Sequence, residues 1–482
     1  MADTSYSDLL RDAQSRLGDF LTPAVRLGVT GLSRSGKTIF ITALVRNLTS
    51  GGRLPFFSPD ADGRIIRAYL EPQPDDRVPR FDYEQHLADL AGDPPRWPSS
   101  TRRIAELRVT IEYRSESALK RAFGLSKLHL DIVDYPGEWL IDLPLMTRDY
   151  AAFANEAVSL ANAPDRIAVA KPWLDFLAGT DPAASEDEQL ALTGARLFTS
   201  YLRSVRDAGA QVTLAPGRFL LPGDLEGSPL LTFFPMPLTS GSQPPRGSLA
   251  AMMVRRYESY KSEVVRPFFN EHFARLDRQI VLVDVLGALN QGDGAIGELE
   301  RALGGVLEAF KPGSASWLSL FGVTRIDRIL FAATKADHLP ASNHDRLGAL
   351  MKRVIDRASR RATSEGADVE TLALAALRAT RETTVSVGKD TLPCLRGTPL
   401  AGQRIGATVF DGETEAAIFP GDLAIDPDAT LDAAAHAAPG SLALVSFRPP
   451  RLQDAAPDAK PRALPHIRLD RALEFLISDY LA

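Results

Sequence analysis

Apolar residues recur at helical spacing over residues 5–21, where Leu9, Leu10, Ala13, Leu17, Phe20 and Leu21 share a face and Ser5 and Asp8 stand at capping positions. The other face mixes Asp8, Arg11, Asp12, Arg16 and Asp19. A packing helix within residues 1–22 fits this better than a membrane-surface helix, whose polar face carries an excess of Lys and Arg. The period then changes. An apolar strand over 25–30 meets a Gly-rich turn and a helix to about 47; after an irregular segment, strands over 105–113 and 128–133 suggest a hairpin. A strand over 280–285, a helix near 295–310, a strand over 326–333, a helix near 343–363 and a strand over 372–377 follow. The last helix, 467–481, sets Leu469, Leu473, Leu476, Ile477 and Tyr480 on one face. Strands alternating with helices predict an α/β domain whose mostly parallel sheet is covered on both faces.

Two stretches interrupt this plan. Residues 150–278 read as helical: Ser185 and Glu188 have capping-box spacing before Leu190, Leu197, Tyr201 and Val205, and an apolar-rich helix covers 252–276. A Pro/Gly-rich loop, 215–247, lies between them. Residues 383–465 carry short β-like runs, such as 383–387 and 442–447, with a flexible Ala/Pro/Asp stretch near 426–440. The expected organisation is an N-terminal helix (1–22), a first half-domain (23–149), a helical insertion (150–278), a second half-domain (279–382), a β-rich insertion (383–465) and a C-terminal helix (466–482) packed on the main domain.

Composition narrows the function. With 45% apolar and 24% charged residues in 482, the chain can bury a sizeable interior. A net charge of -6 without a basic block gives no footprint for nucleic acid. The single cysteine, Cys394, excludes an intramolecular disulfide, and no stretch approaches the roughly 20 apolar residues of a membrane span. A cytoplasmic protein is expected, with peripheral membrane contact left open.

Three motifs then carry the chemistry. Gly31-Leu32-Ser33-Arg34-Ser35-Gly36-Lys37-Thr38 matches GxxxxGK[ST] between an apolar strand and a helix. There, main-chain N–H groups from Gly31 to Ile39 converge on phosphate oxygens, Lys37 reaches the β- and γ-phosphates, and the Thr38 hydroxyl ligates magnesium. Asp134-Tyr135-Pro136-Gly137 is a DxxG at the end of a buried strand, offering Asp134 to the magnesium shell and the Gly137 N–H to the γ-phosphate. Asp284-Val285-Leu286-Gly287 spells the same pattern; Asp134 is preferred because it closes the hairpin. Thr334-Lys335-Ala336-Asp337 follows a strand and selects the base: a carboxylate there accepts from guanine N1–H and the exocyclic amine together, a donor pair adenine lacks. Ala376 and Leu377 supply the backbone beside the base, and Thr101, the one threonine in 51–103, is either a magnesium-sensing residue or an ordinary loop hydroxyl.

The sequence thus predicts a P-loop α/β domain that binds GTP or GDP with Mg2+. Glu138 stands where many GTPases place a water-orienting glutamine, close to the γ-phosphate's negative charge, so slow turnover is expected. Arg34 is either a cation folded over the phosphates in cis or a solvent-facing residue. Its loop resembles those of guanylate-binding proteins and atlastins, which implies a nucleotide-dependent homodimer. Taken with Trp97-Pro98-Ser99-Ser100-Thr101, Ala332-Ala333-Thr334-Lys335-Ala336-Asp337-His338, the 392–400 run and Phe419-Pro420-Gly421-Asp422-Leu423, these motifs resemble the YcjX-like family of bacterial P-loop proteins nearly end to end. That resemblance implies a Ras-like P-loop G domain with added helical and β elements, guanine-nucleotide binding and a stress-associated role beside a membrane-protein partner. The expected function is a slowly hydrolysing GTP switch; the alternative is a nucleotide-stabilised scaffold with negligible turnover.

Overall fold

The computed structural model describes residues 22–31, 35–52, 54–99, 103–118, 121, 124–164, 166–207, 216–239, 241, 243–309, 326–359, 368–387, 390–436, 442–452 and 463–482. The expected N-terminal helix, Ser33, Arg34 and Thr101 lie outside the described residues.

Seven strands form one sheet: β1 (Ala24–Gly31), β2 (Ile65–Glu71), β3 (Ala105–Tyr113), β4 (Ser126–Asp134), β5 (Arg278–Val283), β6 (Arg328–Ala333) and β7 (Asp368–Ala373). Their order is β2-β3-β4-β1-β5-β6-β7. β4, β1, β5, β6 and β7 run parallel, while β3 turns back on β4 and β2 on β3. Alternation along the parallel strands divides the core in two. Ile280 and Leu282 join Val25, Leu27 and Val29 on one face, with helix α1 (Lys37–Ser50); Val281 and Val283 join the other. Register pairs Val29 with Asp134 and Val283 with Ala333, so the C-terminal ends of β1, β4, β5 and β6 emerge at one edge. Crevices at such edges are where open α/β sheets bind ligands.

The segment expected to be irregular contains β2 and a helix, α2 (Tyr83–Ala91). β2 is an edge strand with only Ala68 buried, so period-two alternation does not show; α2 buries only Tyr83, His86 and Leu90.

Between β4 and β5 run a 3-10 turn (Gly137–Thr147) and helices α3 (Tyr150–Ala161), α4 (Ile167–Ala178), α5 (Glu188–Asp207) and α6 (Leu249–Tyr260). Their interior is aromatic: Tyr150, Phe153, Trp173, Phe198, Phe219, Phe233, Tyr257 and Tyr260 are buried, and they merge with one face of the sheet. The cap of α5 is Asp187, which accepts from the N–H groups of Gln189 (2.7 Å) and Leu190 (3.0 Å). Ser185 instead bridges to Ser248, and Glu188 pairs with Arg256. A carboxylate one residue before the helix outcompeted the expected hydroxyl.

After β7 come β8 (Arg381–Val387), β9 (Asp390–Gly397), a two-residue hairpin of β10 (Arg404–Ile405) and β11 (Thr408–Val409), and β12 (Ala416–Ile418). Two expectations fail here. Residues 442–447 form no strand, making an isolated bridge from Phe447 to Pro399 and packing Val445 and Phe447 against Ile418 of β12, and the flexible stretch is largely a helix, Pro427–His436. Tertiary contacts hold that helix: Leu431 is buried and Asp428 accepts from Arg353 and Arg357, both at 2.8 Å. The last helix, Leu469–Ile477, buries Leu469, Leu473, Leu476 and Ile477, with Tyr480 beyond it in a 3-10 turn. Among the described residues, no helix is long and apolar enough to cross a membrane.

Candidate functional site

Where β1 gives way to α1, glycine is required sterically. A Cβ on Gly31 would lie 2.1 Å from Ser35 Oγ and 3.0 Å from the Leu282 carbonyl, and Gly36 takes φ 84°, the left-handed region. α1 starts directly behind Gly36, with no side-chain cap and no acidic residue in its first turn. Its first N–H groups are therefore left for an anion, which the helix dipole also favours.

Beside that turn, Lys37 Nζ donates to the Tyr135 carbonyl at 2.9 Å and lies 2.5 Å from Asp134 Oδ1. Asp134 is 0% exposed, and beyond this ion pair no hydrogen-bond donor among the described residues reaches either carboxylate oxygen. The Lys37 ammonium offsets this buried charge, and a carboxylate with no other donor gains further from a metal cation. Asp134, and Thr38 next along the chain from Lys37, carry the hard oxygen donors that suit magnesium, so these residues fit the ion by their chemistry. Asp284, the other DxxG aspartate, is occupied differently: it caps a short helix through the Gly287 N–H (2.9 Å) and pairs with Lys335 Nζ at 2.5 Å.

At the other end, β6 runs into Thr334, whose N–H and hydroxyl both donate to the Val283 carbonyl, at 2.9 and 3.2 Å. Lys335 holds φ 61°, in the left-handed region that residues with a Cβ seldom adopt. Asp337, 5% exposed, is fixed by the Ala379 N–H on Oδ2 at 2.9 Å, while its carbonyl accepts from the Thr380 hydroxyl.

One cavity of about 660 Å³ joins the two ends. Gly31, Ser35, Gly36, Lys37, Thr38, Ile39, Gly137 and Glu138 line it on one side, and Thr334, Lys335, Asp337, Ala376 and Leu377 on the other. Its size lies within the range of small-molecule sites. Burial raises the Glu138 carboxyl above its usual range, opposed by the charges of Lys37 and Arg206.

Sequence reasoning missed several wall residues. Arg206 and Asp207 end α5, Leu221 follows a short turn, and Leu400, Ser446 and Phe447 come from the β-rich segment. No local pattern marks them; only the return of both long segments to the sheet edge does. The 3-10 turn after Gly137 is gripped as well. The Arg218 guanidinium lies 3.2 Å from the Trp139 ring centroid, and Phe268 meets that ring edge-on at 5.5 Å. Asp142 accepts from the Gly217 N–H (2.7 Å) and the Tyr260 hydroxyl (2.5 Å), and burial pushes its carboxyl up to about 6.

A mostly parallel sheet extended by antiparallel edge strands, with a glycine turn and lysine at the end of β1 and a TKxD aspartate at the end of β6, defines a Ras-like α/β fold of the P-loop class. The chain belongs to the YcjX-like family (DUF463), which it matches over residues 25–481. It is 39% identical over 469 residues to the Ras-like GTPase YcjX of Escherichia coli K12, covering 95% of this chain and 96% of that protein. To the Ras-like GTPase YcjX of Shewanella oneidensis MR-1 it is 34% identical over 505 residues, covering 100% of this chain and 99% of the relative.

Proposed function

We propose that this chain binds GTP and GDP with Mg2+ and hydrolyses GTP slowly, acting as a nucleotide-dependent switch in the stress-related setting that the family resemblance implies. One observation carries the reading: an uncapped helix N-terminus with Lys37 and a buried Asp337 stand at opposite ends of a single cavity. The relatives' names, Ras-like GTPase, agree with it.

In this reading the N–H groups of Gly36, Lys37, Thr38 and Ile39 hold the phosphates, with Ser33 and Ser35 completing the loop. Lys37 trades its contacts with Asp134 and Tyr135 for the β- and γ-phosphates. Thr38 and Asp134, with Thr101, would hold magnesium, which when bound neutralises charge on the β- and γ-oxygens. Asp337 accepts from the guanine edge, while Ala376 and Leu377 border the base. Water adds to the γ-phosphorus as the bond to the bridging oxygen breaks. Glu138 orients that water. Arg34 or Arg206 supplies a cation.

The relevant experiment is calorimetry with GTP, GDP and ATP in magnesium, followed by single-turnover hydrolysis. Heat with guanine nucleotides alone is expected; equal heat with ATP, or none with GTP, overturns the reading. A second reading, a nucleotide-stabilised scaffold, draws on the packing of Trp139 and Asp142, which restrains the segment after Gly137. Product formation no faster than in Lys37→Ala would favour it.

A further inference from the structure

The 392–400 run stands out in the sequence, yet nothing in the proposed hydrolysis uses it. In the fold it seats one ring. Leu400 N–H donates to the Ser446 carbonyl and Arg448 N–H to the Thr398 carbonyl, both at 2.8 Å, so the backbone on either side of Phe447 is bracketed. Gly397 lies beneath the ring: a Cβ there would come within 2.8 Å of Phe447 Cδ1. From the other direction, Trp97 Nε1 donates to the Phe447 carbonyl at 2.7 Å, across 350 residues of chain. The ring so held is 4% exposed, meets the His338 ring edge-on at 5.5 Å, and lines the cavity beside Asp337 and Lys335.

The base end is thus closed by a residue from the β-rich segment, latched to the stretch just before β3. We propose that Phe447 is the outer wall of the base pocket, held by the Trp97 indole, so that a guanine nucleotide leaves only when the β-rich segment yields. This rests on the guanine-nucleotide reading above. An aromatic wall supplies contact without reading the base edge, so it sets residence time while Asp337 retains selectivity. The packing around the ring is small beside the main core: Ile418, Val445 and Phe447 are buried together, with Ala379, Ile405, Phe410, Ala416 and Ala443 partly buried against them. Elements with few buried contacts open at low free energy.

The test is dissociation of a fluorescent N-methylanthraniloyl-GDP from the full-length protein, chased with excess GDP. Phe447→Ala should release it about tenfold faster, and Trp97→Phe, which keeps a ring but loses the N–H donor, about threefold faster. Both should keep their preference for GDP over ADP. Release within twofold of wild type in both variants overturns the proposal, as does faster release accompanied by loss of guanine preference, which would place the ring's effect on Asp337 instead. Should Phe447→Ala lose cooperative melting, Trp97→Phe alone decides. A wild-type protein that fails to bind the probe overturns the nucleotide reading itself, a result distinguishable from failure of the wall alone.

Discussion

The two ends of the cavity are closed by unlike structures. At the phosphate end, the helical segment between β4 and β5 contributes Arg206 and Leu221 and packs an extensive aromatic interior continuous with the sheet. At the base end, the β-rich segment contributes Leu400, Ser446 and Phe447; Phe447 sits in a small cluster with Ile418 and Val445, apart from the large core that Leu423 and Leu431 of the same segment join, and accepts the Trp97 indole hydrogen bond. The contrast separates two physical roles. A wall continuous with a large core moves only with the body of the protein, whereas a wall on a small core can open while the body stays folded.

The largest expected effect would break this contrast outright if absent. Trp139→Ala, which empties the space between Arg218 and Phe268, should cost about 3–5 kcal/mol of stability by thermal or urea unfolding. A smaller loss than from Trp97→Ala would show that the helical wall is not the firmer one. Next in size, Lys37→Ala should weaken GTP binding about 100-fold, ~2.7 kcal/mol by calorimetry, because it removes the cation that meets the β- and γ-phosphates. At the opposite end, Asp337→Asn should weaken GTP binding at least about tenfold and raise affinity for xanthosine triphosphate, measured by competition. If this variant instead loses all triphosphates alike, the two ends are not separable.

The smallest effect is a pH dependence. Asp142 titrates near 6 in the fold, above its usual 3.8, because burial disfavours the charged form. Its penalty is therefore absent below about 4, grows between about 4 and 6, and is fully present above that window. Relative to Asp142→Asn, the wild-type melting temperature should fall by a few degrees as pH rises from about 4 to 7. A difference that stays flat with pH would show that Asp142 is not the titrating group in the helical wall.

Much of the fold was legible because the inner parallel strands β1, β4, β5 and β6 are buried on both faces and read as apolar runs. β3 was expected with the residues it has, and β1, β4, β5 and β6 within two residues of theirs at either end. β7 ends at Ala373, four residues before the expected 377, because the chain there leaves the sheet to form the base-end loop. β2 and α2 went unseen, being largely exposed, and the 426–440 stretch was misread because its helix draws on contacts with Arg353 and Arg357 from far along the chain.

Local order along the chain determined the glycine turn, its lysine, the aspartate ending β4 and the TKxD aspartate, since each depends on spacing within a few residues of a strand end. The order of strands already favoured Asp134 over Asp284, and the tertiary structure sets Asp134 against Lys37; it alone brought Arg206, Trp97 and Phe447 to the same cavity. Those positions follow from how two long segments fold back to the sheet edge, and no short-range period records the distance a chain travels before it returns.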